Sequence, residues 1–124
     1  MKKKRPTEAE LQVLAILWSN GPQTVRFIND QISKINDVGY TTTLKIMQIM
    51  TEKGLLTRDT SNRTHVYQAA VGEEIIKKNL LTSLVESAFE GSTSSLVLHA
   101  LGHKKTSPEE LAAIKAYIQK LENE

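Results

Sequence analysis

The chain has 124 residues, 40% hydrophobic and 24% charged, a balance that suits one ordinary domain or two small units sharing a core and excludes a disordered chain. Zero Cys excludes disulfides, thiolate metal sites and a cysteine nucleophile, and no apolar run approaches the ~18 residues of a membrane span, so no membrane partner is expected. The net charge of +2 is unevenly spread, ten Lys/Arg against six Asp/Glu over residues 1–72 and six against eight over 73–124, as suits an anion-binding module fused to something else. The basic start, Met1-Lys2-Lys3-Lys4-Arg5, runs into an acidic periodic stretch where a signal peptide would have its apolar region, so a cytoplasmic protein is the default expectation.

The first helix is marked at both ends. Thr7-Glu8-Ala9-Glu10 reads as a capping box, Leu11, Leu14, Leu17 and Trp18 recur at helical spacing, and Asn20-Gly21-Pro22 is a stop signal. A second helix is predicted from about Thr24, with Val25, Ile28, Ile32 and Ile35 along one face and a turn-rich end at 36–39. The third runs over about 41–53, with Thr41 as its N-cap and Gly54 as its stop. At 100° per residue Thr43, Ile46, Met47 and Met50 share its packed side, and Thr41, Lys45, Gln48 and Glu52 the opposite, polar side. Residues 55–59 and 64–69 read as two short strands joined by the polar connection 60–63. Three helices followed by a hairpin is the order of a winged helix-turn-helix.

Beyond Val71-Gly72 the pattern is helical throughout. A wide apolar stripe ends at Glu90-Gly91, a short segment over 93–101 is apolar nearly all round, and Ser107-Pro108-Glu109-Glu110 starts a last helix carrying Leu111, Ile114, Ile118 and Leu121. About 50 residues with this many large apolar side chains bury too little surface alone. The economical solution is a second copy, with Ile76, Leu80, Leu84, Phe89, Leu96, Leu98, Leu101, Leu111, Ile114 and Ile118 at the interface; packing back onto the front domain is the alternative. The expected fold class is therefore mainly α with a small β-hairpin: a winged helix-turn-helix over 1–72 and a C-terminal helical dimerisation domain over 73–124.

For catalysis the chain offers no nucleophile-base constellation, no phosphate-cradling Gly loop and no H-E-x-x-H, so no enzyme, catalytic residue or cofactor is expected. His99 and His103 stand four apart, a spacing that suits two metal ligands, but no Cys or acid joins them and Gly102 sits where the helix should end. They read as ordinary polar residues, and no metal is expected. The signal for nucleic acid is stronger. A recognition helix needs a packed inner face and short polar side chains outside, and Tyr40, Thr41, Thr42, Lys45 and Gln48 supply them where a helix enters the major groove. Thr can bond bases or phosphates and touch a thymine methyl, and Lys45 can reach a guanine edge or a phosphate. The alternative is a Thr-rich helix start facing only water. Arg58 and Arg63 flank the hairpin tip, placed for backbone or minor-groove contact, and Lys3 and Arg5 belong to an arm that tracks phosphates or is simply a solvated tail.

Several of these residues together carry a family resemblance. Thr7-Glu8-Ala9-Glu10-Leu11 with Ile16-Leu17-Trp18, Tyr40-Thr41-Thr42-Thr43 with Glu52-Lys53-Gly54-Leu55-Leu56, Tyr67, Phe89-Glu90-Gly91-Ser92 and the 107–111 helix start resemble the BlaI/MecI/CopY family of bacterial transcriptional repressors, the penicillinase repressors. The resemblance implies an N-terminal winged helix, a C-terminal helical dimerisation domain, and a homodimer on inverted-repeat operator DNA of TACA/TGTA type. In the β-lactam branch it also implies a sensor-activated protease partner that cuts an Asn-Phe bond in the short helix of the dimerisation domain. The candidate cleavage region here is His99-Ala100, where that dipeptide is absent, and the cysteine metal motif of the copper branch is absent too. Basic residues common in the second half of the family's recognition helix are replaced by Gln48-Ile49. The expected function is a DNA-binding repressor released by proteolysis or by a ligand that weakens the dimer; the alternative is a winged-helix protein-protein adaptor that binds no DNA.

Overall fold

The computed structural model describes residues 5–124. The expected phosphate-tracking Lys3 lies outside the described residues, and Arg5 is exposed ahead of the first helix. The element order is α1 (Glu8–Asn20), α2 (Val25–Ser33), α3 (Tyr40–Glu52), β1 (Leu56–Asp59), β2 (Val66–Ala69), α4 (Glu73–Ala88), α5 (Thr93–His103) and α6 (Pro108–Glu122). The internal contacts divide the chain into two units between Leu80 and Leu81, within α4. Among the described residues no helix is long and apolar enough to cross a membrane.

The first unit folds by locally determined ends. Thr7 Oγ1 accepts from the Glu10 N–H at 3.2 Å and Glu10 Oε1 accepts from the Thr7 N–H at 2.9 Å, the reciprocal pair that satisfies two otherwise orphan donors of α1. Its last turn closes through Gly21, at φ 76°, whose N–H reaches the Leu17 carbonyl at 2.8 Å. The end of α3 is a Schellman motif: Gly54 at φ 84° donates to the Thr51 carbonyl (3.1 Å), and Leu55 donates to the Met50 carbonyl (2.9 Å). The accompanying apolar contact is present too, since Met50 and Leu55 are both in the core.

That core is Val13, Leu14 and Leu17 of α1, Val25, Ile28 and Ile32 of α2, Met47 and Met50 of α3, and Leu55, Leu56 and Tyr67 around the hairpin. The strands pair antiparallel with Leu56 opposite Ala69 and Asp59 opposite Val66. Tyr67 also bridges to Gln23 through a pair of backbone bonds (2.8 and 2.9 Å), so the α1–α2 connection acts as a third edge of the hairpin. The Trp18 indole donates to the Val71 carbonyl at 3.0 Å and ties the exit of the hairpin to α1.

Three expectations are corrected here. Ile35 does not continue the buried face of α2: the helix ends at Ser33, Lys34 and Ile35 close i→i+3 bonds to Gln31 and Ile32, and this tightened turn swings Ile35 out to 80% exposure. Thr41 is not the N-cap of α3, because the helix starts one residue earlier with Gly39 as a cap that has no side chain to offer. Gly102 does not end α5, which runs on to His103; a glycine costs a helix about 1 kcal/mol but stops it only where the next turn adopts a capping geometry.

In the second unit α5 is capped by Ser92, whose hydroxyl accepts from Ser95, and α6 by Ser107 with Pro108 in the first turn. Glu90 (φ 51°) and Gly91 (φ 80°) are both left-handed and turn the chain between α4 and α5. No residue of α4, α5 or α6 is buried. Leu98 is 68% exposed, Ile75 62% and Tyr117 61%, and Leu81, Leu84, Leu111, Ile118 and Leu121 are exposed as well. Of the expected interface residues, Ile76, Leu80, Phe89, Leu96, Leu101 and Ile114 are half-buried within the single chain.

Candidate nucleic-acid interface

The polar face of α3 is held out by the burial of its opposite face. Thr43, Met47 and Met50 are fully buried, which leaves Thr41, Thr42, Lys45 and Gln48 exposed along the other side. Ile49, 39% exposed, stands beside Lys45 on this face. Tyr40, also 39% exposed, opens the helix, and Thr41, freed from capping, is available to a ligand.

The inclination of α3 is fixed by a polar side chain that periodicity gave no reason to single out. Asn29 on α2, 7% exposed, donates from Nδ2 to the Val38 carbonyl and to Thr43 Oγ1, both at 2.8 Å. One amide thus pins the turn between α2 and α3 and the buried side of α3 together. Farther along, the Lys53 ammonium at the C-terminal end of α3 meets Glu10 Oε2 of α1 at 2.8 Å. Burial pushes the Glu10 carboxyl up, but the Lys53 ammonium and the Thr7 N–H outweigh it and hold it below the usual glutamate range. Glu10 therefore serves both its own helix start and the seating of α3.

The hairpin brings its two arginines to different places. Arg58 lies within β1 and lines a recess of about 320 Å³ with Pro22, Thr57 and Gln68. Arg63 stands in the connection before β2 and lines a separate cavity of about 230 Å³ together with Arg26, Tyr40, Thr64 and His65, floored by Leu44 and Tyr67. In that cavity the Arg26 guanidinium sits 4.5 Å from the centroid of the Tyr40 ring. Arg26 and His65 were not singled out by the sequence; their only signal was positive charge near Thr24 and Arg63, which any exposed surface shows. At the hairpin tip the Asp59 carboxyl is held below its ordinary range by Ser61, whose N–H donates to Oδ1 at 2.9 Å, and more weakly by His65.

His99 and Ala100 lie mid-helix in α5. His99 bonds the Ser95 carbonyl through Nδ1 at 2.9 Å and meets the Phe89 ring edge-on, with centroids 5.3 Å apart. Among the described residues no group of three or more His, Cys, Asp or Glu could hold a metal ion.

Comparison with known proteins gives a consistent set of matches. The sequence model of the penicillinase repressors matches residues 6–120. The transcriptional regulator BlaI of Mycobacterium tuberculosis is 27% identical over 123 residues, 98% of this chain and 88% of that protein. The methicillin resistance regulatory protein MecI of Staphylococcus aureus is 23% identical over 114 residues, 92% of this chain and 93% of that one. Among solved structures, the monomeric form of Bacillus licheniformis BlaI in complex with the blaP half-operator aligns with a TM-score of 0.51 at 22% identity, covering 59% of this chain and 89% of that one. The shared fold is the winged helix of the first unit.

Proposed function

Since the chain belongs to the penicillinase repressor family, we propose that it is a cytoplasmic transcriptional repressor that binds duplex operator DNA as a homodimer, with residues 1–72 reading DNA and 73–124 joining the two copies. The observation that carries the reading is α3, a helix buried on one side by Thr43, Met47 and Met50 and lined on the other by Thr41, Thr42, Lys45 and Gln48. Short hydroxyls around one lysine let a helix approach base edges closely, and Arg58 and Arg63 lie on the hairpin beside it for the sugar-phosphate backbone. A BlaI protein with this fold was solved on a half-operator, which supports the same use of it here.

The homodimer rests on α4, α5 and α6. Leu98, Ile75, Tyr117 and the other exposed apolar residues of these helices leave apolar surface in water that a partner would cover. A two-fold assembly would bury it and pair two reading heads with an inverted repeat, whose second contact is then made at high effective concentration. Release by a sensor-activated protease near His99-Ala100 would require α5 to open first, because a protease binds an extended strand and this bond lies within a continuous helix. The test is selection of bound sequences from random duplexes, followed by a salt titration. The expected result is an inverted repeat whose affinity falls steeply with salt; a flat salt dependence would leave only a protein-binding role for the fold.

A further inference from the structure

The cavity between the start of α3 and the approach to β2 holds basic side chains that the polar face of α3 does not include. It gathers two arginines and a histidine from two parts of the first unit: Arg26 from α2, and Arg63 and His65 from the approach to β2. Neither Arg26 nor Arg63 has an ion-pair partner among the described residues. The Asp59 carboxyl, which accepts the Ser61 N–H at 2.9 Å, lies close enough to His65 to feel it. Two guanidinium groups without an ion-pair partner among the described residues raise the local potential for an anion.

The geometry at Arg26 specifies which kind. Its guanidinium lies over the Tyr40 ring, 4.5 Å from the centroid. This cation–π contact holds the guanidinium against the ring and removes part of the rotamer freedom that an exposed arginine would lose on binding. A planar fork of donors held in one orientation matches two oxygens of a tetrahedral oxyanion. The cavity, about 230 Å³, is open to solvent and adjoins Tyr40, the first residue of α3. Thr24 and Thr64 also line it, and the Thr24 hydroxyl, which accepts from the Phe27 N–H at 3.2 Å, keeps its O–H as a donor.

We infer that Arg26, Arg63 and His65 form a preset seat for one phosphodiester of the duplex backbone, at the junction of α3 and the hairpin, with the Tyr40 ring as the platform that orients Arg26. The inference rests on the DNA-binding reading above and adds to it a contact that fixes register. A phosphate clamped beside the first residue of α3 sets how far Thr42 and Lys45 reach along the groove. Tyr40 then acts as a positioning residue through Arg26.

The experiment uses the full chain and the duplex obtained by selection. Arg26→Ala is expected to weaken binding to the selected and to random duplexes alike, by roughly tenfold at moderate salt, and to lower the slope of log affinity against log salt by about two, one for each protomer of the proposed dimer. A single neutral methylphosphonate is then stepped along each strand. One position per half-site, when neutralised in both half-sites together, is expected to cost wild-type protein about as much as Arg26→Ala does, and to cost the Arg26→Ala variant nothing further. Tyr40→Phe, which keeps the ring, retains the wild-type slope, and Arg26 is exposed, so circular dichroism should show both variants folded. If wild-type protein binds with a steep salt slope while Arg26→Ala leaves slope and affinity unchanged, the seat is refuted and the DNA-binding reading stands. The seat is equally refuted if every methylphosphonate costs the variant as much as wild type. If wild-type protein binds no duplex, the DNA-binding reading fails and the seat fails with it.

Discussion

Replacing Asn29 by Ala tests the claim that one buried amide sets the inclination of α3. The substitution removes two hydrogen bonds of 2.8 Å; the Val38 carbonyl keeps the Ser33 hydroxyl as a donor at 3.2 Å, whereas the hydroxyl of the fully buried Thr43 loses its partner. The bond to the Val38 carbonyl is worth about 1 kcal/mol net, and leaving the buried Thr43 hydroxyl without its partner costs about 1–3 kcal/mol, so the loss should be roughly 2–4 kcal/mol. The Thr43 hydroxyl can recover part of this by turning to a carbonyl of the preceding turn, which favours the lower half of the range. Urea unfolding followed by far-ultraviolet circular dichroism reads the loss as a fall in midpoint of roughly 1–2 M, with protein concentration held fixed because association adds to apparent stability. Adding Thr43→Val to Asn29→Ala removes one stranded atom, so the double variant should be more stable than the sum of the single losses predicts, by about 1 kcal/mol. A single-variant loss below about 0.5 kcal/mol, or strict additivity in the double variant, would refute the reasoning, because either result means that Asn29 is spectator to the seating of α3.

The remaining expectations concern the same surfaces. Lys45→Ala should cost roughly 1–3 kcal/mol on the selected operator and relax its sequence preference, whereas Arg58→Ala should weaken all duplexes about equally; competition binding with mutated half-sites separates the two, and equal loss on operator and random DNA for Lys45→Ala overturns its assignment to base reading. Because the Glu10 carboxyl is held low in the folded chain, its contribution to stability is full above the ordinary glutamate range and is lost as pH falls through the lowered value. Lys53→Met should therefore cost about 1.5–3 kcal/mol at neutral pH and flatten that acid limb, and unfolding midpoints measured down the acid range check both effects. Leu98→Asp should split the proposed dimer in sedimentation, since Leu98 is 68% exposed in the single chain and would carry a charge into the interface; a variant that stays dimeric would move the interface elsewhere. If release is proteolytic, chain recovered from induced cells should end between Leu96 and Gly102, and an intact mass on a derepressed promoter would rule that route out.

The parts of the fold that were legible in the sequence are those whose physics is local. The capping box at Thr7 and Glu10, the glycine at 54 and the Ser107-Pro108 start each satisfy backbone groups within a few residues, so the chain states them wherever it goes. Ile35 was misplaced because a 100° periodicity tells which face a residue would take if the helix continued, and says nothing about the tightened turn that ended it. Asn29, Glu10 and Arg26 were opaque for a further reason. Their roles depend on partners 14, 43 and 14 positions away in the chain, Thr43, Lys53 and Tyr40, and a polar residue advertises its need for a partner without naming one.

The second unit shows the same limit in its strongest form. The apolar stripes of α4, α5 and α6 were visible as stripes, and the three helices form where the spacing places them. Folding one copy nevertheless leaves none of their residues buried, so the stripes specify a surface rather than a core. A sequence that kept this many leucines and isoleucines on open faces for no partner would expose the chain to indiscriminate association. In the proposed dimer the same residues do the work of a core across a two-fold axis, and the stability of the second unit becomes inseparable from the concentration of the chain. DNA affinity and protomer stability would then respond to the same interface, so that whatever loosens α5 lowers both at once.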